Sequence, residues 1–376
     1  MIKGEQRKEI YFTDKPVVNY RKLEALNQSM IALFDSNPVQ FFEQFKLGRS
    51  KKVKQNVSMD IGNLVDFFIL ECRANLEEFE NRFDEQFALL EGTKSSAQVF
   101  DLVDILFDIT EASLNEKGEI TSSFTTRFEA AVAKIQSGKT PKYKGKTIEK
   151  VLEDFEANGK EYFQKRLDNI GKSIVDASLV EKAKVVANGL LKDEFTAEIF
   201  EESEDESLEK LTKFPIEWIY TTKSGKKIPC KSEIDILHID HDKKIIYPKD
   251  LKTTFDNESF EYSYIKNSYY LQAAFYTLAV KYWQNENSLN EYRVEAMEFI
   301  VGDTSANNRR PIRYQLDVAD ILSGIKGFNM RSTHYRGVDE LIEEISWAED
   351  TDNWNVSKQV FDNNGLLKLN IQYDGI

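Results

Sequence analysis

Two aspartates and a lysine within one short stretch have the types and spacing for phosphodiester chemistry. The stretch from Lys231 to Thr254 reads KSEIDILHIDHDKKIIYPKDLKTT. It predicts two β-strands joined by a polar turn at Asp240, His241 and Asp242. Asp235 marks the end of one strand and Asp250 that of the other. They are fifteen positions apart, and a tight meander brings such positions side by side. Lys252 follows Asp250 at the strand period of two, so both side chains leave the same face. Two carboxylates and an ammonium at one sheet edge suit a hard divalent cation and an attacking water.

A lone aspartate at a strand end more often caps the strand or pairs with a lysine. The acid-then-lysine pair beside a second acid favours metal-assisted hydrolysis. Lys252 would position the water, lower its pKa or neutralise charge in the transition state. A resting salt bridge to Asp235 or Asp250 is compatible with each role. Thr253 and Thr254 follow at once and either bond a phosphate or shape the turn. Glu217, on the preceding strand, is another candidate for the metal site, with its strand face left open. Pro248 cannot donate to a ladder, which predicts a bulge or an edge just before Asp250.

Two helices must hold this site. Asp66 lies inside the apolar run LVDFFIL, where a carboxylate is costly unless paired or metal-bound. Gly62, four residues earlier, lets that helix pack closely. Downstream, Tyr269, Gln272 and Tyr276 share one helix face. Aromatic packing accounts for Tyr269. Gln272, within YYLQAAFY, requires a buried hydrogen-bond partner. Other signals fail. GKT occurs at 138–140 and 145–147, but Ala133 and Thr140 stand where a phosphate-binding loop needs glycine. His238, His241 and His334 lack metal-ligand spacing and read as solvated or turn residues.

The wider pattern predicts an α/β fold with a mixed central sheet. Residues 1–20 read as an irregular or β-like arm. Helical periodicity starts near Tyr20, with Leu23, Leu26, Met30 and Leu33 on one face. Ser36 or Asn37 caps a second helix with Pro38 in its first turn and Phe41, Phe42 and Phe45 on its apolar face. A third runs from about Ser58 to Glu71. Residues 95–195 are mostly helical, and Gly138–Lys146 reads as a flexible excursion. Strands begin at Phe214. A long helix spans about Ser259 to Trp283, a strand follows in VEAMEFIVGDT, and 317–347 is helical. The C-terminal tail is irregular or β. The expected division is 1–90 for an arm and helices joining the core, 91–200 for a helical insertion, and 201–376 for the core and C-terminal helices.

Composition narrows the setting. No apolar run reaches the length of a membrane span, and MIKGEQRKEIYF lacks a secretory apolar stretch. Cys72 and Cys230 alone exclude a disulfide framework and a four-cysteine metal site. A reducing cytoplasm is the expected compartment. The formal net charge of −14 argues against non-specific nucleic-acid binding. Lysines cluster, however, at Arg49–Lys54, at Lys139–Lys146 and at Lys223–Lys231, while Glu198–Glu209 is acidic. Such clusters are either solvated loops or the lining of a groove.

IDILHIDHDKKIIYPKDLKTT followed by YYLQAAFY resembles the PD-(D/E)xK nuclease superfamily, in its RecB-like branch. The nearest likeness is to the exonuclease VIII (RecE-type) enzymes of phages and prophages. LNQSMIALFDSNPVQFFEQF resembles that family's opening segment, SMDIGNLVDFFILE its glycine-to-histidine helix, and MEFIVGDT the strand after its glutamine helix. The likeness covers roughly residues 20–75 and 210–305, and more loosely reaches 355. It implies a restriction-endonuclease-like core with a helical insertion. Asp235 and Asp250 would be metal ligands, Lys252 the catalytic lysine, and Leu251 a backbone-carbonyl ligand. Gln272 and Tyr276 would support the site and contact DNA. Asp66 stands where the family usually has histidine, and remains an oxygen ligand for Mg²⁺ or Mn²⁺.

The resemblance implies a Mg²⁺- or Mn²⁺-dependent exonuclease that digests one strand of a duplex end, usually 5′ to 3′. The 3′ strand would pass to a single-strand annealing partner, in a bacterial or phage-infected cell. Relatives form rings around DNA, and a homo-oligomeric ring lined by the lysine clusters would reconcile the charge with binding. Two alternatives stand beside it. One is an endonuclease or single-strand-specific nuclease of the same fold. The other is a DNA-binding or assembly protein on a decayed nuclease fold.

Overall fold

The structure, a computed structural model, describes residues 24–48, 57–90, 96–115, 119–138, 140–305, 307 and 309–367. The expected arm at 1–20, the Arg49–Lys54 cluster and Lys139 lie outside these residues. The chain divides into two compact units, 1–73 with 185–376, and 74–184. Both boundaries fall earlier than the expected 91 and 200.

The 74–184 unit is built on amphipathic helices at Ala97–Glu111, Phe124–Ser137, Ile148–Asn158 and Lys160–Asp168. Ser96, Ser123 and Thr147 cap the first three through their side-chain oxygens. Their apolar stripes meet in a core that includes Leu102, Leu106, Phe128, Val132 and Phe155. A parallel strand pair, Phe87–Leu90 with Ser173–Asp176, joins them. The loop expected as a flexible excursion is tied down instead. Tyr143 is buried and its hydroxyl donates to Asp154 at 2.7 Å. Gln136 bonds the main-chain oxygens of Tyr143 and Lys146, and Lys142 pairs with Asp101.

The larger unit holds a six-stranded mixed sheet. Its strands are β1 (Leu208–Thr221), β2 (Lys227–Asp240), β3 (Ile245–Thr254), β4 (Arg293–Val294), β5 (Glu298–Asp303) and β6 (Ile312–Gln315). The order is β1-β2-β3-β5-β6, with β4 also on β3. β1–β2, β2–β3 and β5–β6 are antiparallel, while β3–β5 is parallel. A parallel pair needs a crossover, and helices supply it between β3 and β5. Pro248 sits in the gap between the β4 pairing, which ends at Ile246, and the β5 pairing, which starts at Lys249. The gap answers the expected ladder break.

The helices of this unit are α1 (Gln28–Ser36), α2 (Val57–Asp66), α3 (Phe260–Lys266), α4 (Tyr269–Glu286), α5 (Val318–Lys326) and α6 (Val338–Thr351). After α1, Asn37 caps the short helix that begins at Pro38. α4 lies on β1, β2 and β3, and Leu271, Ala274, Phe275 and Val280 join Trp218, Ile234 and Leu237 in the core. Four expected elements differ. β1 starts at Leu208, not Phe214, and so includes Lys213. The long helix is broken at Ser268, whose φ of +56° divides α3 from α4. The helical stretch 317–347 is interrupted by a Phe328–Met330/Thr333–Tyr335 hairpin. The expected irregular tail contains a helix at Lys358–Asp362. Among the described residues no helix is long and apolar enough to cross a membrane.

α5 crosses α4 closely at Gly324. A Cβ there would lie 2.4 Å from the Tyr270 carbonyl oxygen and 2.8 Å from Ala274 Cβ. Gly324→Ala is expected to cost about 1–3 kcal/mol, as overpacking does. Urea unfolding checks it, and an unchanged midpoint would contradict this contact.

Candidate active site

The register of β2 and β3 builds the site. The ladder runs from Asp240 opposite Ile245 to Ile236 opposite Lys249. One more step would set Asp235 opposite Asp250, and there it stops. Asp235 Oδ2 instead accepts the backbone N–H of Leu251 at 3.1 Å. β1 is interrupted at the same level. Thr212 pairs with Ile236 and Phe214 with Ile234, but Lys213 drops out with a left-handed φ of +49°. Its ammonium donates to Asp66 Oδ1 at 2.6 Å and to Asp235 Oδ1 at 2.9 Å.

Asp66 arrives from the end of α2, where the helix widens into a π turn over Phe67–Glu71. Such widenings recur at functional sites. A Cβ on Gly62 would lie 3.2 Å from Thr253 Oγ1, so the glycine lets α2 approach β3. From the other face, Gln272 on α4 donates from Nε2 to Asp250 Oδ1 at 2.6 Å. This is the partner its apolar setting required. Lys252 pairs with Asp250 Oδ2, and its ammonium lies 5.0 Å from the centroid of the Tyr269 ring. That ring also stacks on Phe260. Asp66, Asp235, Asp250, Lys252 and Gln272 are therefore brought together, with Lys213 added.

The charges do not balance. Asp66, Asp235 and Asp250 face two ammonium groups, Lys213 and Lys252. Burial pushes the Asp250 carboxyl up to about 7, against the opposing pull of Lys252, with Asp235 adding to the rise. Burial likewise raises Asp66 to about 6, although Lys213 opposes it. Burial also opposes charge on Asp235, but Lys213 and Lys252 outweigh it and hold that carboxyl below its usual range. Neighbouring acids whose pKa values are pushed apart in this way mark a candidate functional site.

Glu217 is exposed opposite Lys231, four residues along β1 from Lys213, or about 13 Å at the strand rise. Tyr276 is half-buried and packs into the apolar core. Thr253 faces α2, and Thr254 ends β3 opposite Asp303. The Leu251 N–H, not its carbonyl, contacts Asp235. Lys231 is buried, and Lys226 pairs with Asp350 at 2.7 Å, so these two members of the third lysine cluster do not form an open basic strip. Only His334 of the histidines is exposed. His241 occupies the expected turn, yet is buried against Tyr292. His238 is buried within β2 and is not a solvated residue.

A hard cation held by one or two carboxylates, with the rest of its shell from water and phosphate, suits Asp235 and Asp250 by donor type and charge. Among the described residues no group of three or more His, Cys, Asp or Glu side chains is arranged to hold a metal ion. Lys213 stands between two of the three acids here. No protein-family model matches the chain, and none of the curated proteins matches it.

Gln272→Leu would leave Asp250 Oδ1 without its amide donor. A loss of about 1–3 kcal/mol is expected in urea unfolding, and no loss would contradict the bond. His238 gives a pH test. Burial lowers its pKa to about 3, with Lys249 and Lys210 acting in the same direction. The unfolded chain takes up this proton below about 6.5. Stability from the neutral ring is therefore full above that pH and is lost as pH falls towards about 3. The parent should lose roughly 3–5 kcal/mol more than His238→Gln over that window. Parallel urea-unfolding curves would refute it.

Proposed function

We propose that this protein is a metal-dependent deoxyribonuclease of the PD-(D/E)xK type with a restriction-endonuclease-like core. Its substrate is a duplex DNA end, from which it removes one strand, 5′ to 3′. The observation that carries this reading is the joint placement of Asp235, Asp250 and Lys252 where the β2–β3 ladder ends, with Gln272 fixing Asp250. Three acids against two lysines leave a site that favours a further cation.

Asp235 and Asp250 would hold Mg²⁺ or Mn²⁺, with the Leu251 carbonyl as a main-chain donor. Such an ion polarises the phosphate and activates water. The chain's own part is orientation. Gln272 engages one oxygen of Asp250 and Lys252 the other. Lys252, between Asp250 and the Tyr269 ring, presents its ammonium to the attacking water or to a phosphate oxygen. The second reading is a DNA-binding or assembly protein on a decayed nuclease fold. It is favoured by the way Lys213 already occupies two of the acids.

End-labelled linear duplex, incubated with Mg²⁺ or Mn²⁺ and resolved by strand, tests both. The parent should shorten the 5′-ended strand, and Asp250→Ala should be slower by about a thousandfold, since a ligand of the ion that would stabilise the developing charge is lost. Equal digestion by both proteins would remove Asp250 from the site. Cutting of closed circular DNA would replace the exonuclease by an endonuclease, and no digestion by the parent would favour the binding protein.

A further inference from the structure

Lys213 is the residue at this site that local geometry explains least. A lysine in the left-handed region costs about 1–2 kcal/mol, and its φ is +49° in the interior of β1. The β1–β2 pairing is given up at that position alone within the run Leu208–Thr221. In return, one ammonium touches acids from two separate elements, Asp66 at the end of α2 and Asp235 on β2. Backbone strain that the surroundings maintain in this way points to function.

The two contacts, 2.6 Å and 2.9 Å, place the ammonium where an ion shared by Asp66 and Asp235 would sit. Divalent ions lie about 2.0–2.6 Å from carboxylate oxygens, so ion and ammonium cannot share that position. The lysine side chain keeps 21% of its surface exposed, and its flexible four-carbon stem gives it a way out.

We propose that Lys213 is a tethered cation, a positioning residue that bridges Asp66 and Asp235 in the metal-free protein. It must swing out before a divalent ion can take Asp66 as a third carboxylate ligand. This rests on the metal-site reading above. Lys213 thereby weakens metal binding and keeps the acids arranged without metal. Asp235 and Asp250 would hold an ion whether Lys213 is in place or swung out, and Asp66 only once it has swung out.

Mn²⁺ affinity without DNA, followed by the electron paramagnetic resonance of the free ion, tests the idea. Glycine accepts the left-handed backbone, so Lys213→Gly removes the ammonium and keeps the turn. It should bind Mn²⁺ about tenfold more tightly than the parent, since a repelling charge leaves and a ligand is released. Asp66→Asn in that background should abolish the gain. In the parent background the same change should alter affinity by about twofold or less. A lysine that merely supports the fold would not produce this dependence. In chelator Lys213→Gly should melt below the parent, and Mn²⁺ should raise its midpoint by the larger amount. Should it fail to fold even with Mn²⁺, Lys213→Asn, also tolerant of this backbone, undergoes the same titration. Parent binding with equal or weaker binding by the variants would overturn the tethered cation alone. No Mn²⁺ binding by parent or variants would overturn the metal site as well.

Discussion

Neutralising three carboxylates where a β-ladder ends is the constraint that the site's architecture serves. Asp235 and Asp250 are brought level by the β2–β3 register, and the strands cease pairing at that level. Each unusual feature nearby supplies a donor or a charge to them. Lys213 adopts a strained backbone to reach Asp66 and Asp235. Gln272 lies in an apolar helix but finds Asp250. Leu251 turns its N–H to Asp235. An unpaired buried charge costs several kcal/mol, which exceeds the cost of any one of these adjustments.

The opposite face of β3 shows the contrasting solution. Lys249, adjacent to Asp250, points the other way and pairs with Glu298, which also accepts from Arg313. These side chains come from β3, β5 and β6, so the network ties three strands together. Arg313 also lies 3.9 Å from Glu198, and burial keeps the nearby His238 neutral. One strand thus carries an internally bonded face that anchors the sheet. Its other face is electronegative and short of positive charge. Side-chain alternation at period two separates them, so an anchor and a reactive site can occupy consecutive residues without cancelling each other.

Much of this was legible in the sequence because it depended on local periods. The Asp250–Lys252 face follows from strand alternation. The Asp235–Asp250 proximity follows from a meander around Asp240–Asp242. Gln272 was conspicuous because an amide in YYLQAAFY needs a partner, and Gly62 because it precedes an acid in an apolar helix by one helical turn. Lys213 was not legible. In LEKLTKF it has the form of a surface lysine, and only the extension of β1 back to Leu208 places it level with Asp235. Its left-handed backbone responds to tertiary charge, which no local pattern encodes. His238 was misread for a related reason. The polar turn begins two residues on at Asp240, but the sheet buries both faces of β2 at His238.

Under the proposed function an acidic chain would meet an acidic polymer across a Coulombic barrier, and the site itself holds three carboxylates against two ammonium groups. Lysines elsewhere do not all lower that barrier, since Lys142, Lys226 and Lys249 are committed to Asp101, Asp350 and Glu298. Within the site two ammonium groups face three carboxylates, and Lys213 divides its charge between two of them. A divalent ion supplies twice that charge and keeps coordination positions for phosphate oxygens, which an ammonium cannot do. The residual negative charge among Asp66, Asp235 and Asp250 therefore has a chemical direction. Under the proposed function it would favour a cation able to bind the protein and a phosphate at once, and the same carboxylates that are costly to bury would link the fold to a nucleic-acid substrate.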